Sequence, residues 1–353
     1  MAPRRTFTAL LASAVILGAA CTSTTTIATT PSSATAAATR PTQTPTVSTP
    51  KTAPSAPPPA CFGTGIVVHL PRPSGVVAAF GDLWAQSGPS SLWKITPSGH
   101  VLAKLEGVSR NPPGRIRGAN QGYETLAAGF GSIWTLVPGE VLRLDPVTDR
   151  VIARINVPVS GGNQTLAIGL GAIWLANNEA DLIRIDPAKN TTSVYNVGTT
   201  PVGITFASAR IWIPQVSEAG GLVTFDPRTR KLHQEPRTQD NGAFVMGAYN
   251  KVWVAQGDQI NWIDPANGRQ RLVIRESQSV FIKGVTSGLG RVFFNGGRMI
   301  VLDPANRHVR VLPGVSAPRG NAGIAVLGHR VWMVDTVKHR IVGIDVCARI
   351  RCA

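Results

Sequence analysis

From about residue 62 onward, apolar and polar positions fall into short alternating runs, and no segment combines a 3.6-residue period with helix caps. Leu142-Arg143-Leu144-Asp145 and Ile183-Arg184-Ile185-Asp186 alternate with a period of two, the pattern of strands buried on one face. The runs recur as a unit. Each unit has small and apolar residues, a Gly-containing turn, an aliphatic residue followed by an aromatic one, a polar loop, an alternating run and then Asp-Pro. The aromatic position falls at Trp84, Trp134, Trp174, Trp212, Trp253, Phe293 and Trp332, in steps of 50, 40, 38, 41, 40 and 39 residues. The strand-end position falls at Thr96, Asp145, Asp186, Asp226, Asp264, Asp303 and Asp345, and Pro follows it in every unit but the last. Two independent markers with a period near 40 are the signature of a repeat architecture. In the second unit, 125–130, 133–137, 141–144 and 151–157 read as four strands separated by turn residues. Seven units of four antiparallel strands predict an all-β fold, a seven-bladed β-propeller. The aromatic residue is expected to fill the wedge between blades. The Asp is expected to accept backbone N–H bonds in the turn that follows, where Pro presets φ. Both positions are therefore read as scaffold.

The chain ends predict how the ring closes. The seventh unit supplies three strands, around 323–326, 331–334 and 341–344. Residues 64–70 form an orphan strand ahead of the first unit, ending Leu70-Pro71 much as the second unit ends Val157-Pro158. Added to the last unit, this N-terminal strand completes the seventh blade and leaves no bare edge. On that register Cys61 and Cys347 share a turn and are disulfide candidates, with Cys352 as a competitor for the bond.

The first sixty residues set the compartment. Arg4 and Arg5, an apolar run over 10–17 and Gly18-Ala19-Ala20 before Cys21 read as a signal peptide spanning 1–21. The apolar run is too short to span a bilayer. Arg4-Arg5-Thr6-Phe7 also resembles the core of a twin-arginine signal. Small residues before Cys21 resemble a bacterial lipoprotein cleavage site, which makes Cys21 the candidate for lipidation and membrane anchoring. Gly18 stands where that pattern wants Leu, so cleavage after Ala20 and full secretion is the alternative. Residues 22–60 are Thr, Ser, Pro or Ala at 34 of 39 positions, too little apolar surface to offset ordering entropy, and are read as a disordered tether. The propeller then occupies 61–353, outside the cytoplasm.

Composition fits this picture. Hydrophobic residues make up 43% of the chain and charged ones 15%, enough to bury a core. Residues 1–60 hold four cations and no acid, which leaves 31 Lys+Arg against 19 Asp+Glu in the remainder, a formal +12. That bias implies attraction to anionic surfaces such as lipid headgroups or acidic wall polymers, or simply a solvated basic surface. No Lys/Arg run of five occurs, and neither a nucleic-acid partner nor a stable oligomer is expected. The sequence contains no Gly-rich phosphate loop, no His-x-His or Cys-x-x-Cys spacing and no Gly-x-Ser-x-Gly elbow. No catalytic residue, metal or cofactor is assigned on these grounds.

In a propeller, the loops joining strands two and three share one face with those joining successive blades, and ligands dock where they converge. Here the first set contains Asn177, Glu179, Gln215, Gln256, Asp258, Arg298 and His339. The blade-to-blade set contains Asn163, Gln164, Arg319 and Asn321. A long loop over 108–121 adds Arg115, Arg117, Asn120 and Gln121, with Glu124 just after it. Amides and guanidinium groups in a concave face suit a sugar, a peptide backbone, a carboxylate or a phosphate.

The Gly-x-[Ile/Leu]-Trp segments (Gly131-Ser132-Ile133-Trp134, Gly171-Ala172-Ile173-Trp174) and Arg-[Leu/Ile]-Asp-Pro segments (143–146, 184–187) resemble the bacterial propellers grouped around virginiamycin B lyase and YVTN-type repeats. The resemblance covers about 62–346 and rests on structural motifs. It implies a top-face histidine pair, a glutamate and Mg²⁺, used to open the ester-derived ring of a streptogramin. The corresponding segments 161–164, 200–203, 240–243 and 319–322 hold no histidine. The six histidines, His69, His100, His233, His308, His329 and His339, take different positions in the unit, and no pair is expected. A cell-surface or secreted binding and scaffolding propeller with a polar or anionic ligand is therefore the functional expectation. The alternative is a Mg-dependent carbon–oxygen lyase acting on a cyclic depsipeptide.

Overall fold

The aliphatic–aromatic pair of each unit lies on the second strand of a blade, where alternation sends the two side chains to opposite faces of the sheet. The computed structural model describes residues 65–88, 91–106, 108, 125–158, 164–177, 180–198, 201, 203–214, 221–235, 244–256, 259–275, 282, 284–296, 298–316 and 323–346. These form seven four-stranded antiparallel sheets. Six sheets take four consecutive strands. In the second blade they are Leu126–Gly129, Ser132–Val137, Glu140–Asp145 and Arg150–Asn156, each within one residue of the bounds read from alternation. The seventh sheet combines Ile324–Leu327, Arg330–Asp335 and Arg340–Asp345 with the N-terminal strand Ile66–His69. Ile66 stands opposite Gly343, and His69 opposite Arg340. Leu70 N donates to His339 O (3.1 Å) as Val157 N donates to Gly139 O (3.0 Å), so Leu70 holds the place in blade seven that Val157 holds in blade two. The N-terminal strand closes the ring.

The seven aromatic markers are 0–1% exposed. Each packs toward the following blade: Trp134 clusters with Leu166, Ile173 and Ile183 of blade three, and Trp332 with Val76 and Leu83 of blade one. The core thus lies between the sheets and runs through the seam. Four indoles also donate to the carbonyl five residues earlier, Trp134 to Gly129, Trp174 to Gly169, Trp212 to Ala207 and Trp253 to Ala248, at 3.0–3.2 Å.

The motif arginine has a structural role as well. Arg143 lies 5.0 Å from the Trp134 ring and donates to Pro187 O (2.7 Å) in the next blade's turn. Lys94 repeats this over Trp84 (5.2 Å), reaching Pro146 O and Asp149. Arg330 donates to Pro97 O (3.2 Å) across the seam. Part of the basic excess is therefore internal to the scaffold.

The strand-end aspartates accept backbone N–H bonds as expected. Asp145 accepts from Val147 and Thr148 (2.8 and 3.0 Å), and Asp186 from Ala188 and Lys189 (2.9 and 3.1 Å). The N–H groups of Thr148 and Val147 hold the Asp145 carboxyl below its usual 3.8. Those of Lys189 and Ala188 do the same for Asp186, and that of Arg228 for Asp226. A carboxyl whose value is lower folded than unfolded contributes stability that is complete above the unfolded value and lost as pH falls through the folded one. The melting temperature is therefore expected to hold from neutrality down to about pH 4 and to fall below it. Asp186→Asn, which keeps an acceptor oxygen, should melt near wild type at neutral pH and lose part of the acid dependence. Asp186→Ala should melt lower even at neutral pH. Circular-dichroism melts across this range check both.

The signal peptide, the tether and all four cysteines, Cys21, Cys61, Cys347 and Cys352, lie outside the described residues.

Candidate functional site

In every blade the turn between strands two and three and the link to the next blade emerge at the same end. At the closure seam these two connections come from opposite ends of the chain. His69 is the last residue of the closing strand, and Leu70-Pro71-Arg72 leads into the innermost strand of blade one, Pro73–Ala79. The link is pinned from blade one: Ser87 Oγ donates to Pro71 O, and Gly88 N donates to Arg72 O (2.9 Å). Arg72 is exposed and left-handed, with φ +54.

The facing turn spans 336–339 in blade seven. Asp335, buried at its base, accepts from Lys338 N (3.0 Å) and from Arg340 Nε (3.0 Å), which fixes the turn. His339, exposed with φ +50, accepts the Leu70 N–H through its carbonyl. His69, Leu70, Pro71, Arg72 and His339 together line an open depression of about 470 Å³. The lining residues include two histidines and an arginine and no carboxylate. Asp335 already has both of its oxygens engaged. Guanidinium and imidazole groups lining one depression suit a carboxylate or phosphate.

The histidine expectation is corrected here. His69 and His339 share one depression, although they occupy different positions in the repeat. Comparing positions within units hid this, because His69 belongs to the strand that precedes the first unit. Setting Leu70-Pro71 level with Val157-Pro158 already carried the signal. Of the five lining residues the loop survey named only His339; His69 and Arg72 are the two polar ones that it missed.

The other candidates fall in three groups. Gln164 and Asn177 are buried. Asn177 donates to Pro158 O (3.4 Å) of the preceding blade and accepts from Asp181 N (3.1 Å), the same blade-to-blade latch that Ser87 makes to Pro71. Gln256 and Arg298 end and begin strands, Lys251–Gln256 and Arg298–Leu302. Arg115, Arg117, Asn120, Gln121, Glu124, Asn163, Glu179, Gln215, Asp258, Arg319 and Asn321 lie outside the described residues.

The Mg²⁺ implied by the repeat resemblance wants oxygen ligands in octahedral geometry. The seam offers nitrogen donors, and among the described residues no three His, Cys, Asp or Glu side chains come together. The described residues do not fit that ion.

No family model and no curated protein matches the chain. Its structure is similar to the WD40 domain of Neurospora crassa Pan2, with a TM-score of 0.60 at 12% identity over 82% of this chain and 92% of that one. It is also similar to Kuenenia stuttgartiensis hydrazine synthase, with a TM-score of 0.60 at 10% identity over 78% and 96%. At such identities the likeness establishes the propeller fold alone.

Proposed function

We propose that this protein is a non-enzymatic binding propeller, and that its seam depression takes the phosphate or carboxylate of an acidic wall polymer. The convergence of His69, Arg72 and His339 without a competing carboxylate is the observation that carries this reading. The signal-like residues 1–21 and the tether support presentation outside the cytoplasm, with Cys21 as the anchoring residue.

Calorimetric titration of the full chain with poly(glycerol phosphate) tests it. Binding is expected to weaken as salt rises. Arg72→Ala and His339→Ala should each weaken it roughly fivefold, the scale of one exposed charged contact. Val337→Ala, in the same turn, should leave it unchanged. Salt-insensitive binding, or binding indifferent to Arg72 and His339, overturns the assignment. The lyase reading finds support in the repeat resemblance and in the His69–His339 pair, but it lacks an assigned carboxylate. Cleavage of a cyclic depsipeptide by the purified protein with Mg²⁺ would restore it.

A further inference from the structure

The end of the propeller opposite the seam depression carries the turns between strands one and two. The first residue of each turn is left-handed: Phe80, Phe130, Leu170, Ser208, Tyr249, Leu289 and Gly328, with φ between +48 and +59. This conformation favours Gly or Asn and disfavours bulky side chains. Five of the seven blades nevertheless place a large apolar or aromatic residue there, 38–49% exposed. The turn does not explain that choice, since a two-residue turn forms better with Asn, and these residues lie outside the buried core.

The tips of blades one to three are neighbours, as are those of blades five and six, with Ser208 and Gly328 between the two runs. Innermost strands pack side by side close to their turns: a Cβ at Gly129 would lie 3.0 Å from Ile168, and one at Gly288 would lie 2.8 Å from Val326. Tyr249 Oη donates to Arg291 O (3.3 Å), next to the turn that carries Leu289. The tips therefore form a ring about the channel mouth that is apolar on five blades and interrupted at Ser208 and Gly328.

The turns between strands three and four lie outside that ring, at the same end. They expose Arg150, Lys189, Arg228, Arg230, Arg269 and Arg307. The strand-end aspartates of the same turns accept their own turn's N–H groups and Asp149 pairs with Lys94, so their charge is partly offset locally. The chain preceding Ile66 also joins the propeller here, because Ile66 packs against Gly99 in the matching turn of blade one.

Five apolar tips in an interrupted inner ring, inside an outer set of cations at the same end, match a planar anionic surface with an apolar layer beneath it. We propose that this end of the propeller docks on an anionic phospholipid bilayer. The apolar tips enter the headgroup–acyl boundary, while the outer cations meet lipid phosphates. The seam depression then faces away from the membrane. The two assignments stand on separate residues.

Sedimentation of the full chain with phosphatidylglycerol vesicles, compared with a Phe80→Asn/Phe130→Asn variant, tests the docking. Both proteins carry the same N-terminal segment, so its own affinity for lipid cancels. The variant is expected to bind about tenfold more weakly or worse, as loss of two apolar insertions implies. Because Asn suits the left-handed position, its melting temperature should equal or exceed that of wild type, which separates lost docking from lost folding. Phe130→Trp fluorescence should be quenched by acyl-chain spin labels, and that of Val337→Trp, at the opposite end, should not. Unchanged sedimentation of the Asn variant overturns the proposal. So does equal binding to phosphatidylcholine, or equal quenching at 130 and 337. A dimer lost in the variant, with no vesicle binding, assigns the ring to a second copy instead.

Discussion

Trp134→Ala is expected to cost about 3–5 kcal/mol of stability, the range for truncating a large aromatic in a packed core. The indole is fully buried between blades two and three, against Leu166, Ile173 and Ile183. Two wedge-shaped sheets cannot collapse onto the space it leaves, because the ring fixes their separation on both sides. The indole also donates to Gly129 O and supports Arg143, whose guanidinium reaches Pro187 O in the next blade. Truncation therefore removes packing, a hydrogen bond and a stacked cation together. Blade six carries Phe293 at this position, also fully buried, so a blade can close around a smaller ring. Trp134→Phe should accordingly cost less than half as much as Trp134→Ala. Urea unfolding followed by circular dichroism measures both. An alanine cost below about 1 kcal/mol would show that the aromatic markers are not the inter-blade wedges.

The scaffold was legible in the sequence because it is built from local rules repeated seven times. Strand alternation, the Trp position and the Asp-Pro turn each depend on a few neighbouring residues, and each lies where its pattern placed it. Asn177 was open to either reading, because residue type alone does not say which way a strand-end amide points. It turns toward Pro158 and is used up there. The motif arginines carried a charge that composition could only count. The structure shows Arg143 and Lys94 committed to the next blade. The seam depression was hidden for another reason, since it joins residues 69–72 to residue 339 and no comparison between units brings them together. The apolar tips escaped too: Phe-Gly and Leu-Gly read as ordinary turns until backbone angles show the apolar residue taking the left-handed place.

Val68→Asp is expected to be the most damaging single change in the N-terminal strand, at roughly 3–5 kcal/mol, the scale of an uncompensated buried charge. Val68 stands opposite Ile341 and packs with Leu70, Trp332 and Ile341 in the core that joins blades seven and one. The adjacent Val67 points the other way and is 42% exposed, whereas Val68 is 6% exposed. Val67→Asp places the same charge on the same strand and should fall within about 0.5 kcal/mol of wild type, as ordinary surface changes do. The contrast isolates ring closure from any general effect of charge on this segment. Amide exchange along Arg340–Asp345 should rise in Val68→Asp, because that strand loses its hydrogen-bonded neighbour, and should stay protected in Val67→Asp. Closure also assembles the site. Leu70 N–H holds the His339 carbonyl, and the same link carries His69 and Arg72. Val68→Asp should therefore lose poly(glycerol phosphate) binding at temperatures where blades two to five remain folded, while Val67→Asp keeps it. If the two variants melt and bind alike, the N-terminal strand is not what closes the propeller, and the seam is not where its ligand sits.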